Sequence, residues 1–520
     1  AGAWYEGTLV ALGRSNPNIY NILFRDLGLD IYRLRNAYDQ NGGADYMSRS
    51  GQIIAAGEAA LGRPLKTLIS CWSPPAYLKS NGDTANGGTL IGGPSHYAYS
   101  QLADWWADSV STWAAYGVNA DYISIQNEPD WSADWDTCRY EGTETASYAG
   151  YNLAFEAVWQ ELNMRMGSTM PKMLAGESAG LLGSPKYLDA LLNLSHVYGY
   201  AHHLYNIAAG DNPDQYLAQM QLFNATYGNK PLFQTEYEKA TGSWPDAYNM
   251  ALLLHNSLTV EQVSAYLYWD LFWGTANVGL VSITSSSYTI NSDYWGFKQF
   301  SAFIHSGWQR VAAGTDSSSL RISAYISPDN ENLTVVAINT SESVNIMLNP
   351  VFSGFTCTGG LIWRTSQTEN CINTGSYAGG SISVPAKSIV TAALTGFRGL
   401  QRTLTISSTA GGSVTTPGEG LFSCGDGTIV PLEAAAQASY HFVQWSGTAV
   451  AAGKVADPFS ADTTVTADAD YTVIANFEED LIPPMPKPDW VTAPTAAGST
   501  RIIMSVSACE DDNPPVEYLF

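Results

Sequence analysis

The chain has no run of about eighteen or more apolar residues, so nothing in it reads as a membrane-spanning helix. Positive charge is scarce. Lys and Arg number 24 against 48 Asp and Glu, a formal net charge of −24. That excludes nucleic acid as a partner, whose phosphates call for clustered cations. It also disfavours a polyanion held mainly by charge. Only 14% of residues are charged, and only six are cysteine. No C-x-x-C occurs and no Cys/His cluster has zinc spacing, so neither a metal nor a cofactor is expected. Cys357 and Cys371 flank a Gly/Trp hairpin-like stretch, which reads either as a disulfide of an exported protein or as two buried thiols. No signal peptide opens the sequence, and Ala1 reads as a processed or trimmed start.

What is present is length and aromatic side chains. The 520 residues exceed one ordinary domain and include 16 Trp, 30 Tyr and 47 Gly. Flat aromatic faces beside small polar groups suit a neutral polymer of sugars. Up to about residue 306, short apolar runs alternate with amphipathic segments. Strand candidates are Asp30–Asn36, Lys66–Trp72, Asp121–Asn127, Lys172–Glu177, Gly199–Tyr205, Pro231–Tyr237 and Val263–Asp270. Between them Leu102, Trp106, Val110 and Trp113 mark one apolar helix face, which assigns Trp105, Trp106 and Trp113 to helix core. Repeated βα units indicate a parallel sheet. The fold class is α/β, a (β/α)₈ barrel. Its first strand falls at or before Ala3–Trp4, so the N-terminus reads as clipped close to it.

From about Gly307 the alternation turns antiparallel: Leu320, Ile322, Ala324 and Ile326, then the run Ile389–Leu394. The expected division is a barrel over 1–306, a β side domain over 307–396, a small all-β module over 402–478, and a Pro-rich linker with the start of a further β module over 479–520. In the small module Tyr440, Phe442 and Trp445 could form a sugar-stacking face, but their alternation fits strand core better.

Glu128 and Glu236 each stand at the C-terminal end of a strand, the rim where barrel active sites are built. With a first strand counted, these are strands four and seven. An unpaired carboxylate is costly to bury, so two at strand tips suggest a working pair. Glycosidic cleavage uses such a pair, a protonated acid and an attacking carboxylate, about 5–5.5 Å apart in retaining enzymes. Arg33 could supply the nearby positive charge, with Arg35 on the same strand face as runner-up. Glu177 also ends a strand and reads as a supporting residue at best. His202 and His203 read as packing or supporting groups. Trp131, Trp135, Trp244 and Trp273 are placed in loops, some as substrate platforms and some as anchors.

The stretch Trp72-Ser73-Pro74-Pro75-Ala76-Tyr77-Leu78-Lys79-Ser80-Asn81-Gly82, then Gly87-Gly88-Thr89-Leu90, then Ser124-Ile125-Gln126-Asn127-Glu128-Pro129-Asp130-Trp131, resembles glycoside hydrolase family 30, especially its xylanase branch. The resemblance runs from about Ala1 to Leu394. It implies Glu128 as acid/base, Glu236 as nucleophile, Asn127 on the sugar 2-hydroxyl, Tyr205 on the nucleophile, Trp72 and Trp269 as walls of the subsite for the attacked sugar, and Trp131 in a neighbouring subsite. Glucuronoxylan-specific members place an arginine after the eighth strand. Here Tyr268-Trp269-Asp270-Leu271-Phe272-Trp273-Gly274-Thr275 holds no basic residue, so guanidinium recognition of a glucuronate branch is not expected there. The residues from Leu404 to Phe477 resemble bacterial surface-associated β repeats. The expectation is a secreted or cell-surface, monomeric, retaining endo-β-1,4-xylanase acting on plant xylan. Another β-glycanase of the family (β-1,6-glucanase type or exo-acting xylobiohydrolase) and a non-catalytic carbohydrate-binding adhesin are the alternatives.

Overall fold

All seven predicted strands form: β1 Ile31–Arg35, β2 Lys66–Ser70, β3 Tyr122–Ser124, β4 Lys172–Ser178, β5 Gly199–His203, β6 Leu232–Glu236 and β7 Ala265–Tyr266. In the computed structural model they pair in sequence order into one parallel sheet. The architecture is the expected (β/α)₈ barrel type. Of the first strand, placed at or before Ala3–Trp4, only Trp4 is among the described residues, where it belongs to no strand; these residues are 4–205, 212–239, 242–399, 401–481, 490–496 and 502–506. Among these, no helix is long and apolar enough to cross a membrane. The helix Tyr99–Ala115 buries Leu102, Trp105, Trp106, Val110 and Trp113, as its periodicity requires.

The sheet's interior changes character along its height. Leu68, Tyr122, Leu174, Ala201, Phe233 and Leu267 make an apolar floor, each large side chain contributing about 1.5–3 kcal/mol on burial. Toward the strand C-termini the buried side chains are Arg33, Ser70, Ser124, His203 and Glu236. Two register shifts make this possible. Between β4 and β5, Gly176 pairs with Ala201 and Ser178 with His202, so Glu177 is an extra residue. Between β5 and β6, Gln234 pairs with His202 and Glu236 with His203, so Thr235 is extra. Such bulges re-aim the side chains that follow.

The Pro-Pro-Ala-Tyr-Leu-Lys stretch after β2 and the loop after β3 lock together beside the rim. Asn86 N donates to Ala133 O at 2.9 Å, Thr137 N to Thr84 O at 3.0 Å, and Arg139 N to Gly88 O at 2.8 Å. At their centre lies Lys79, 1% exposed. Its ammonium donates to the carbonyls of Thr84 at 3.0 Å and Ala85 at 3.4 Å, and to that of Thr137. It serves as a built-in structural cation. Lys79→Met is expected to leave the buried Thr137 carbonyl without its ammonium donor and destabilise the barrel by about 1–3 kcal/mol, read as a lower denaturation midpoint. An unchanged midpoint would refute the role.

Two compact units emerge, one of residues 1–350 with 358–396 and one of 351–357 with 397–520. In the first, the side domain's six-stranded antiparallel sheet joins the barrel through hydrogen bonds such as Tyr248 Oη to Asn339 O at 2.7 Å and Thr391 Oγ1 to Gln299 O at 2.7 Å. The bridge considered between Cys357 and Cys371 is not formed, because Cys371 is a free buried thiol. The register of this hairpin sets Cys371 N on Thr365 Oγ1, well along the strand Phe355–Ser366 from Cys357. In the second unit, a four-stranded and a three-stranded sheet enclose Leu404, Val414, Leu432, Trp445, Val465 and Phe477. Tyr440 and Phe442 pack against that core, so the alternation did mark core. Glu479, given to the linker, instead ends the strand Tyr471–Glu479 of this module. Residues 482–489 of the expected linker lie outside the described residues. The strands Trp490–Ala496 and Ile502–Val506 pair with each other.

Candidate active site

Arg33 organises the rim. It is fully buried, and each guanidinium nitrogen has an assigned partner. Nη1 meets Glu236 Oε2 at 2.6 Å, Nη2 donates to Asn127 Oδ1 at 2.5 Å, and Nε donates to Ser70 Oγ at 3.0 Å while lying 3.0 Å from Glu177 Oε1. Its plane also lies over Trp72, 4.5 Å from the ring centroid. Burial opposes its charge, but the neighbouring carboxylates of Glu177 and Glu236 outweigh that and raise its pKa. The binding of Asn127 Oδ1 leaves the Asn127 amide nitrogen as the free-facing donor of that side chain.

Glu128 approaches from the other side. One oxygen each of Glu128 and Glu236 and one ring nitrogen of His203 lie within 4.8 Å of one another. His203 Nδ1 is 3.1 Å from Glu128 Oε1, and its Nε2 is 3.9 Å from Glu236 Oε2. Burial, then Asp130, push Glu128 up to about 8. Burial raises Glu236 as well, while His203 and Arg33 oppose it. Of the two acids only Glu236 is bonded to the guanidinium, so a proton between them resides on Glu128. Burial lowers His203 to about 4, so its ring is neutral near neutral pH. Among the described residues this trio is the group with spacing to hold a metal ion. The guanidinium already on Glu236 opposes a second cation there.

The backbone at this rim is strained. Glu128 has φ +45° and Glu177 φ +65°, and Glu128 N donates to Glu177 O at 2.8 Å. Left-handed non-glycine residues of this kind cost about 1–3 kcal/mol each and gather at functional sites.

Around the carboxyls stand aromatic walls. Trp72 and Trp269 have centroids 5.7 Å apart, and Trp4 meets them edge-on at 5.4 and 5.8 Å. Trp273 closes on Trp269 at 6.0 Å. The buried Tyr205 side chain stands beside Glu236, whose charge, after burial, raises the Tyr205 pKa further. Trp131 lies on the loop after Glu128, its N–H bonded to Glu128 O at 2.9 Å and half its surface exposed.

The structure therefore brings Glu128, Glu236, Asn127, Arg33, Trp72, Tyr205 and Trp269 together, with Trp131 at the edge. Several expectations change. Arg35, the runner-up, pairs with Asp136 at 3.0 Å and lies over Trp4, away from both carboxyls. His203 touches Glu128, whereas His202 turns to the buried Glu261. Trp244 opens the helix Trp244–Asn256 and Trp273 sits in the short strand Phe272–Trp273, so neither is a loop residue. Glu177 is in direct contact with Arg33. Its position at a strand end was the signal by which it was read as a supporting residue. Trp4 carried no such signal.

Glucuronoxylanase XynC of Bacillus subtilis is 23% identical over 355 residues, 66% of this chain and 75% of that protein. Endo-1,6-beta-D-glucanase neg1 of Aspergillus fumigatus is 26% identical over 382 residues, 65% of this chain and 72% of that protein. The crystal structure of a glycoside hydrolase family 30 subfamily 8 xylanase, Xyn30A from Clostridium acetobutylicum, superposes with a TM-score of 0.55 at 25% identity, covering 72% of this chain and 92% of that one. Residues 402–481 match the family described as divergent InlB B-repeat domain.

Proposed function

We propose that this chain, a family 30 glycoside hydrolase over its barrel and side domain, is a retaining endo-β-1,4-xylanase that acts outside the cell on plant xylan without requiring glucuronate branches. One observation carries the reading: a carboxyl held at about 8 and a carboxyl held by a guanidinium, with oxygens within 4.8 Å of each other. That separation is on the scale of retaining pairs, about 5–5.5 Å, and short of the roughly 6.5–9.5 Å by which inverting pairs accommodate an attacking water.

Glu128 donates its proton to the glycosidic oxygen while a Glu236 oxygen bonds to the anomeric carbon. The departing sugar leaves with that proton, and a covalent glycosyl-enzyme remains. Glu128, now a carboxylate, takes a proton from water, whose oxygen displaces Glu236 from the same carbon. The Asn127 amide faces the 2-hydroxyl, a contact that strengthens as positive charge builds on the ring. Trp72 and Trp269 hold the ring's apolar faces, and Trp131 supports a neighbouring sugar.

Two features favour a neutral backbone over an acidic branch. Residues 268–275 hold no Lys or Arg. The rim's other arginine, Arg35, is already engaged by Asp136. Bacillus glucuronoxylanase and Aspergillus β-1,6-glucanase are both relatives, so the substrate test spans both chemistries. Reducing ends should appear from beechwood glucuronoxylan and from arabinoxylan at comparable rates, and not from a β-1,6-glucan. Release only from the glucan would reassign the substrate, and release only from the glucuronate-bearing polymer would restore the branch requirement.

A further inference from the structure

The nucleophile reading leaves one buried charge unexplained. Arg33 faces two carboxylates at once, Glu236 at 2.6 Å and Glu177 at 3.0 Å, and a single counter-ion would suffice to neutralise it in the resting enzyme. Glu177 is as fully buried as Arg33. Packing a third charged group there costs solvation that a structural ion pair would not need. Its position is also held at a backbone cost, through a bulge, φ +65° and the Glu128 N–H bonded to its carbonyl.

Retention supplies the reason. When Glu236 bonds to the anomeric carbon it becomes an ester, and its negative charge is gone. The bond that breaks, from that carbon to the glycosidic oxygen, sends its electron pair to the oxygen, which takes the Glu128 proton. Arg33 Nη1 is then left facing a neutral carbonyl, and Arg33 itself has no exposed surface through which solvent could replace the lost charge. Asn127, Ser70 and Trp72, its other neighbours, are neutral. The newly ionised Glu128 ranks behind Glu177 and Glu236 in its effect on Arg33, and its nearest described partner is His203.

We propose that Glu177 is a positioning residue: the standing counter-ion of Arg33, which keeps that guanidinium compensated and in place while Glu236 is esterified. It rests on the reading of Glu236 as nucleophile. Ser70 completes the device. Its hydroxyl donates to Glu177 Oε1 at 3.1 Å and accepts from Arg33 Nε at 3.0 Å, so the pair stays aligned when Glu236 lets go. Glu177 thereby stabilises the covalent intermediate relative to the free enzyme, without touching the sugar.

The experiment is pre-steady-state hydrolysis of a dinitrophenyl β-xylobioside by Glu177→Gln, with the ratio of glycosylation to deglycosylation rate constants as readout. That ratio should fall by about 100-fold, and the burst of dinitrophenolate should disappear. A purely structural role would lower the melting temperature and leave the ratio unchanged. The milder Ser70→Ala keeps every charge, and should lower the ratio in the same direction by about three- to tenfold even if the glutamine variant folds poorly. A wild-type ratio in a folded Glu177→Gln protein, or in Ser70→Ala, overturns the proposal. Labelling of the wild-type enzyme by a 2-fluoroglycoside separates the two readings. Attachment at Glu236 together with an unchanged ratio rejects only the counter-ion role, whereas attachment elsewhere rejects the nucleophile itself.

Discussion

Glu236→Ala should lose xylan hydrolysis almost entirely, with kcat lower by about five orders of magnitude, the scale seen when a covalent nucleophile is removed. The loss should be chemical and not a collapse of the site. Arg33 would still hold Glu177 at 3.0 Å and Asn127 at 2.5 Å, so the guanidinium is not left without a partner. The vacated carboxylate space, bordered by Tyr205 and His203, suits a small anion. Added azide or formate should therefore partly restore cleavage of an activated aryl xylobioside. The azide product should have inverted configuration, because the anion attacks from the face Glu236 occupied. A variant retaining more than about 1% of wild-type turnover would move the nucleophile elsewhere.

How much of this was legible in the sequence depends on which physical rule governed each residue. The strands announced themselves because a barrel floor needs an apolar side chain from each one. Leu68, Tyr122, Leu174, Ala201 and Phe233 supply them from short apolar runs. Glu128 was legible because Asn-Glu-Pro follows such a run. The direction in which Glu236 points was not. With Phe233 on the floor, strict alternation sends Thr235 inward and Glu236 outward. Only the bulge at Thr235 reverses that, and neither Gly nor Pro marks it in the strand Leu232–Glu236. At Glu177 a glycine does stand beside the bulge, Gly176 with φ +104°. The sequence showed the Glu177 carboxylate at a strand end but not the bulge that sets it against Arg33.

The two arginines of β1 illustrate a further limit. Arg33 and Arg35 share a face, so periodicity ranks them equally. Height in the barrel separates them. Arg33 is level with Leu68, deep enough to meet carboxyls from β4 and β6, whereas Arg35 is level with Ser70 at the rim. There it is taken by Asp136, which is brought over by the pairing of Ala85 with Asp136 between two long loops. Contacts made through such loops depend on tertiary closure, and no local pattern encodes them. Cys371 failed as a bridge for the related reason that hairpin register decided its neighbour.

Glu128→Ala should separate two kinds of substrate. With xylan, whose departing sugar oxygen needs a proton, kcat should fall by about three to four orders of magnitude, at the upper end of what general acid catalysis supplies. With a dinitrophenyl leaving group the first step needs no proton, so it should proceed at close to the wild-type rate. The second step still lacks its base, and the glycosyl-enzyme should accumulate, seen as a lower KM and a burst. Azide should then release a product of retained configuration, the opposite outcome to the Glu236 variant. The pH profile follows from the same group. Burial and Asp130 hold Glu128 up to about 8, so it is protonated and competent below that pH. As pH rises through about 8 the acid is lost, and kcat/KM on xylan should drop by about tenfold per further unit. That alkaline limb should vanish in Glu128→Ala assayed on the dinitrophenyl substrate. Asp130→Asn should shift it downward in the wild-type background, because removing a neighbouring negative charge eases ionisation of the acid. A limb that persists at the same pH in Glu128→Ala would assign the proton to a different residue.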